Sequence, residues 1–384
     1  MKSIIKKILI FTSLLGSLNL FATEFNYLAR SPRGLLLGDA FTAIADDEYT
    51  LFYNPAAMGR HTGVSLYPLN PVLGVTNVLE EMDRFENFPS NDEAAIADRI
   101  LGLPIYTRAG IYPGLKMAKF GFTLFADNKM SLLLTNAVHP QLSINYRYDR
   151  GFAMGGAFNI GSGANFKAGK KNEKGTFTAG RRLSIGGSVK HVRREALDGT
   201  FSLMGTTLLS RISQGVNSAT ELKEAFGFNE GKGWGVDLGV EYSQGSGSSL
   251  FTAGLVANDI GDIHFRKLSG EGKVPKQYMN VAAGVSFKQD FKIFDYTLSS
   301  DLHPLNEEMD FMQRVHLGAE LGIPFVTLHT GWNAGYLSYG ATVKLWPIKL
   351  TAGFYGIEVG SKFKEEEAKR IILYLSLFDF SINL

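Results

Sequence analysis

Seven histidines, His61, His139, His191, His264, His303, His316 and His329, are the side chains here best suited to acid–base or metal chemistry. No pair of them sits at metal-ligand spacing, and no His-Glu-x-x-His run occurs. There is no Gly-x-Ser-x-Gly elbow and no Gly-Lys-Ser phosphate cradle. The chain has no cysteine. That removes thiol catalysis, Cys-ligated zinc, a disulfide scaffold and a lipid anchor on a mature N-terminal Cys. A Ser–His pair assembled across strands stays open from sequence alone. The expectation is a protein that is not an enzyme and carries no cofactor and no metal.

The charged residues follow a different pattern, and it concerns placement. Trp234, Val236, Leu238, Val240 and Tyr242 alternate with Gly235, Asp237, Gly239, Glu241 and Ser243. Side chains of a strand point to opposite faces with period two, so one face is apolar and the other small or charged. The same alternation returns around Leu142–Tyr148, Val281–Phe287, Phe294–Leu298, Val315–Leu321, Leu337–Leu345 and Ile348–Phe354. A half-buried strand in a soluble sandwich can carry this pattern once. Charges on one face of so many strands fit a hydrated lumen, with lipid on the other side.

Composition agrees. Net charge is +2, which leaves no case for nucleic acid, and charged residues are 20% of the 384, below the usual quarter of a soluble domain. Glycine is frequent at 43 residues, with many glycines inside strand patterns, where a soluble sheet avoids them. Short connections are expected at Asp149-Arg150-Gly151, Gly322-Ile323-Pro324 and Trp346-Pro347. Longer ones fall at Gly161–Gly180, Gly205–Lys232, Ile260–Lys276 and Glu358–Lys369. Short periplasmic turns alternating with long outer loops are a barrel habit, although Asn333-Ala334-Gly335 is short where an outer loop belongs. Helical insertions are expected near 76–101 (Asn77–Phe88 and Asp92–Leu101) and near 206–229 (Leu208–Ile212 and Ala219–Phe228), either capping the rim or catching substrate. The chain ends on a strand pattern, Phe378, Phe380, Ile382 and Leu384 alternating with Asp379, Ser381 and Asn383. Counting strands after residue 62 gives roughly 14 to 16.

Residues 1–22 read as a signal peptide: Lys2, Lys6 and Lys7, the apolar run Ile8–Leu20, and Ala22 before Thr23. Residues 23–62 differ in character from both neighbours. They hold Gly38-Asp39-Ala40-Phe41-Thr42-Ala43-Ile44-Ala45-Asp46-Asp47 and Phe52-Tyr53-Asn54-Pro55-Ala56-Ala57-Met58. Asp39 can cap a short helix, and Asn54-Pro55 is a turn signal.

The run Ala43-Ile44-Ala45-Asp46-Asp47, a spacer, then Asn54-Pro55-Ala56 resembles the N-terminal signature of the FadL family of outer-membrane transporters for long-chain fatty acids and other hydrophobic compounds. TodX-type aromatic hydrocarbon channels and, more distantly, PorV-like barrels are relatives. The blocks Gly233–Gly239, Val274-Pro275-Lys276 and Gly318-Ala319-Glu320 are similar too, but less specific. The resemblance implies an all-β transmembrane antiparallel barrel of 14 strands over 63–384, with residues 23–62 folded back as a plug (hatch) in the lumen. Asp46, Asp47, Asn54, Pro55 and Ala56 are then its plug motif. It also implies a bacterial outer-membrane location, a monomer in outer-membrane lipid, and passive uptake of a hydrophobic small molecule or fatty acid. The alternative is a PorV-like scaffold or shuttle that holds a surface or secreted protein partner.

Such a transporter needs an apolar path rather than a reaction. Burial of each CH₂ is worth roughly 0.8 kcal/mol, so a long acyl chain gains on the order of ten kcal/mol by leaving water. A movable plug would weaken that hold and permit release. Leu373, Leu375 and Leu377 share a face with Asp379, Ser381 and Asn383. They therefore line the lumen, unless a bulge flips the strand. For a cargo carboxylate, Arg147, Lys190, Arg314 and His316 are the inward cations. The alternative is that each pairs with a lumen acid such as Asp237, Glu241 or Glu320.

Overall fold

The computed structural model describes residues 27–79, 82–86, 93–167, 176–202, 227–291, 293–360 and 362–382. The expected signal peptide, Leu208–Ile212, most of Ala219–Phe228 and the last two residues lie outside the described residues.

Antiparallel strands close into a barrel of 14 staves. They are β1 (Val64–Tyr67 and Pro71–Thr76), β2 (Ile105–Ile111 and Gly114–Met117), β3 (Phe120–Thr135), β4 (Gln141–Ile160) and β5 (Thr176–Ser202). There follow β6 (Asn229–Gly247), β7 (Ser249–Asn258), β8 (Asn280–Asp290), β9 (Asp295–Leu302) and β10 (Val315–Ile323). The last four are β11 (Val326–Asn333), β12 (Tyr336–Leu345), β13 (Ile348–Glu358) and β14 (Glu367–Leu377 and Phe380–Ile382). Each stave pairs with the next, and β14 pairs with β1, so no edge is left open. Closure satisfies the backbone within the sheet, the condition for crossing lipid with strands.

The alternation sorts as expected. On β6, Trp234 is 61% exposed, whereas Asp237 and Glu241 are 0% exposed. Outward apolar side chains recur on neighbouring staves, with Phe325 and Trp346 at the short-turn rim. This is the apolar band flanked by aromatic residues that a bilayer requires.

Several expectations are corrected. Asp149-Arg150-Gly151 is no turn; it lies inside β4, which runs unbroken against β5. Its polar residues are there because β3 to β6 continue past the apolar band: β5 has 27 residues against 8 for β9. Gly161–Gly180 joins β4 to β5 at the short-turn rim rather than the long-loop rim, and Thr176 onward belongs to β5. Of the first insertion, Met82–Phe85 and Glu93–Ile100 are helical (α3 and α4 after two helices given below), and residues 80–81 and 87–92 lie outside the described residues.

Leu373, Leu375 and Leu377 also move. Leu373 is 41% exposed, while Ile372 is 0% exposed and Tyr374 is buried. The strand is interrupted at Phe378-Asp379, with Phe378 at φ 60. The extra residue shifts the alternation by one, so the leucines face lipid and Ile372, Tyr374 and Ser376 face inward.

Candidate functional site

Residues 27–62 contain little regular structure: α1 (Pro32–Leu36), α2 (Thr50–Tyr53) and a 3₁₀ turn (Pro55–Arg60). Almost all of this stretch is buried, against inward-facing residues of the staves. Irregular backbone out of water needs partners for its N–H and C=O groups. The staves supply them. Lys129 Nζ donates to the Tyr27 and Leu28 carbonyls, both at 3.2 Å, and Arg108 Nη2 to the Arg30 carbonyl at 3.0 Å. Asn258 and Asn159 donate to the Tyr53 and Gly59 carbonyls at 3.2 and 2.8 Å. Thr42 N–H donates to Asp301 Oδ2 at 2.7 Å.

Charges are matched across the same surface. Arg33 forks onto Glu320, Nε to Oε2 at 2.6 Å and Nη2 to Oε1 at 3.0 Å, and reaches Asp46 at 2.5 Å. Arg60 lies 3.1 Å from Glu241. The lumen acids Glu320 and Glu241 are thus neutralised by the N-terminal stretch itself, which periodicity within strands could not reveal. Buried acids left without such cations would carry a large desolvation cost.

The inward glycines have the same cause. A Cβ on Gly239 would stand 2.2 Å from Asn54 Oδ1, and one on Gly186 2.4 Å from the Ala56 nitrogen. A Cβ on Gly331 would meet the Gly38 nitrogen at 2.1 Å. Close backbone approach explains glycine in strand interiors. Asn54 also accepts from Ala56 N–H at 3.0 Å, the cap expected of Asn-Pro.

The proposed motif residues divide. Asn54, Pro55 and Ala56 pack on β5 and β6 at Gly186 and Gly239, and a Cβ on Gly254 of β7 would stand 2.9 Å from Asn54 Nδ2. Asp47 accepts from Ser31 Oγ at 2.6 Å and Tyr49 N–H at 2.9 Å, fixing the fold of the stretch itself. Asp46 pairs with Arg33, and Lys116 donates to its carbonyl.

The four candidate cations are not brought together. Lys190 lies 2.8 Å from Asp237 and 2.5 Å from Asp259, as the lumen-pairing alternative holds. Arg147 is buried on the inner face of β4 above the apolar band. Arg314 is in the β9–β10 connection and donates to the Glu307 and Met309 carbonyls at 2.6 and 3.1 Å. His316 stacks on His303, ring centroids 3.8 Å apart, with its nitrogens at the Gly38 and His303 carbonyls. His303 in turn meets Tyr27 Oη at 2.7 Å. Burial, the adjoining His316 ring and Arg30 hold His303 well below the ordinary imidazole range. Asp39 completes this group. Separations of many residues hid the convergence, and its hydrogen bonds go to the N-terminal stretch.

Two features bear on passage. First, the wall under the stretch is apolar in one sector. Val72, Tyr112, Phe125, Ala153, Val192 and Ile372 are buried in one cluster with Leu28, Tyr49 and Phe52. Phe52 meets Phe125 edge-on at 5.5 Å, and Tyr49 lies 4.4 Å from Tyr112. Second, three staves that carry part of that sector, β14, β1 and β2, are all interrupted, at 378–379, 68–70 and 112–113. Asn70 patches the break, donating to the Tyr112 carbonyl at 2.7 Å and accepting from Tyr112 N–H at 2.8 Å. Glu48 of the N-terminal stretch accepts from Asn70 at 3.2 Å and from Tyr374 Oη at 2.5 Å. Burial and the neighbouring Asp47 raise the Glu48 carboxyl from 4.5 to about 7. A cavity of about 290 Å³ opens beside Glu48 toward the short-turn rim, lined by Arg33, Asp46, Lys344 and Lys349 among others.

Comparison with known structures finds distant similarities. The CymD monoaromatic hydrocarbon channel is 15% identical with a TM-score of 0.46, covering 94% of this chain and 99% of that one. The P. putida toluene transporter TodX is 11% identical with a TM-score of 0.46, covering 93% and 99%. The translocator domain of the autotransporter NalP from Neisseria meningitidis is 10% identical with a TM-score of 0.35, covering 82% and 88%. Among curated proteins none matches the sequence. Residues 81–364 match the family of unknown function DUF5723, and the chain belongs to that family.

Proposed function

We propose that this barrel is a bacterial outer-membrane channel for passive uptake of hydrophobic molecules, long-chain fatty acids among them, gated by residues 27–62 acting as a plug. The observation that carries the reading is the inward apolar sector of Val72, Tyr112, Phe125, Ala153, Val192 and Ile372. A water-filled porin gains nothing from such a lining, whereas an apolar cargo is stabilised by it. In the described state the plug covers this surface, so passage requires the plug to move. The interrupted staves β14, β1 and β2 give a sideways route, and Glu48 ties the plug to that break. The barrel is a monomer in this reading, and residues 1–22 are its export signal.

The test is flux of an apolar fluorescent probe into liposomes holding the mature barrel, compared with a small hydrophilic dye. Probe entry without dye entry is expected. Equal entry of both would contradict an apolar path, and entry of neither would contradict a channel.

A second reading has its own support. Ion pairs such as Arg33–Glu320 and Arg60–Glu241 fasten the plug, and the cavity beside it is polar. A lumen sealed in this way suits a scaffold or shuttle holding a surface or secreted protein. Purification in gentle detergent with one stoichiometric partner chain, and no probe flux, would favour it.

A further inference from the structure

The outer surface of β4 to β6 carries a basic row. Arg150 stands opposite Arg193, and Arg193 opposite Lys232. The short strand Arg266–Ser269 adds Arg266 opposite Lys232. Like charges directly opposed across antiparallel strands repel. Glu230, from the next row, answers half of this: it lies 2.7 Å from Arg150 and 2.5 Å from Arg193. Lys232 and Arg266 have no ion-pair partner among the described residues. Both are exposed.

What lies below the row gives it direction. Two residues nearer the short-turn rim, the same staves carry Phe152, His191 and Trp234 in contact. His191 and Trp234 centroids are 4.8 Å apart, and those of Phe152 and Trp234 5.9 Å. Below them Met154, Val189 and Val236 are exposed and apolar. Apolar band, aromatic residues, then cations is the order met on going from acyl chains to charged headgroups. Neighbouring strands are about 4.8 Å apart, so the four cations span about 15 Å.

We propose that Arg150, Arg193, Lys232 and Arg266 bind the phosphorylated headgroup of an outer-leaflet lipid, whose chains lie along Met154, Val189 and Val236. The bound phosphate relieves the like-charge row, and arginine forks suit its oxygens. The proposal rests on the outer-membrane reading with the long-loop rim outward. It does not depend on what passes through the lumen.

The experiment measures binding to the mature barrel in neutral detergent. Three probes are used: diphosphoryl lipid A, fully dephosphorylated lipid A and inorganic phosphate. Diphosphoryl lipid A should bind most tightly. Lys232→Gln with Arg266→Gln should weaken it more than tenfold, taking roughly fivefold per cation at an anionic lipid surface. The charge-keeping pair Lys232→Arg with Arg266→Lys should retain it. Thermal unfolding of the Gln pair should be unchanged or higher, because repulsion is removed. Equal affinity for dephosphorylated lipid A would overturn the proposal, and so would equal affinity for inorganic phosphate. Probe flux through the lumen is read in the same samples and should not change with these variants. Failure of the channel reading would thus appear as absent flux beside intact lipid A selectivity.

Discussion

Two adjoining arcs of this barrel wall are built on different terms. From β3 to β6 the staves are long, β4 pairs with β5 from Gln141 to Ile160 without a break, and the β5–β6 ladder shifts register between Phe177 and Gly180, near the short-turn rim. In the adjoining arc β14, β1 and β2 are each cut, and side chains bridge the breaks: Asn70 serves Tyr112, and Glu48 serves Asn70 and Tyr374. The first wall holds itself. The second is held in part by the N-terminal stretch, so a movement of that stretch should be felt there first.

Deleting residues 23–60 should sharpen this contrast most. The barrel should still fold, because closure belongs to the staves, while a hydrophilic dye should begin to leak through the emptied lumen. Amide exchange should rise around 68–76, 105–117 and 367–380 well before it rises in β4 and β5. A deleted protein that cannot fold, or uniform exchange, would remove the distinction. Next in size, Leu238→Arg on the continuous wall should cost about 2–4 kcal/mol at the bilayer midplane. Thr342→Arg should cost less of that lipid term, since Thr342 faces the polar cavity. Gly239 is no neutral control for this comparison, because its missing Cβ makes room for Asn54. Chemical unfolding in lipid vesicles measures both.

Asn70→Ala should cost about 1–3 kcal/mol, the penalty of leaving Tyr112 backbone groups unpaired, with exchange rising at Tyr112 and not in β4. The smallest effect concerns Glu48. Its carboxyl, raised to about 7 in place, binds a proton more firmly when the stretch is docked. Docking stability is then full below pH 4.5 and is lost as pH rises toward 7. Exchange at 48–53 should increase over that window, and Glu48→Gln should flatten the response.

Much of the architecture was legible because every-other-residue zoning is a local signal. Trp234 to Tyr242, the faces of β8 to β10, β12 and β13, and the inward placing of Lys190 and Asp237 all follow from it. Local signals fail where a fold departs from its own period. The break at Phe378-Asp379 moved Leu373, Leu375 and Leu377 to the lipid side and put Ile372 and Tyr374 inward. Asp149-Arg150-Gly151 read as a turn because β4 runs past the apolar band into water, where polar residues occupy both faces. The strand glycines have no local cause, since their neighbours Asn54, Ala56 and Gly38 lie far away in sequence. For the same reason the Arg33–Glu320 pair and the His303–His316 stack were out of reach.

The most direct measurement locks the N-terminal stretch to the interrupted wall. The ideal Cβ of Gly114 lies 3.4 Å from the Glu48 Cβ, close to disulfide spacing, and the chain has no cysteine of its own. Glu48→Cys with Gly114→Cys should therefore cross-link cleanly. Oxidised barrels in liposomes should pass no apolar probe, and reduction should restore passage. Equal flux in the oxidised and reduced states would contradict gating by residues 27–62.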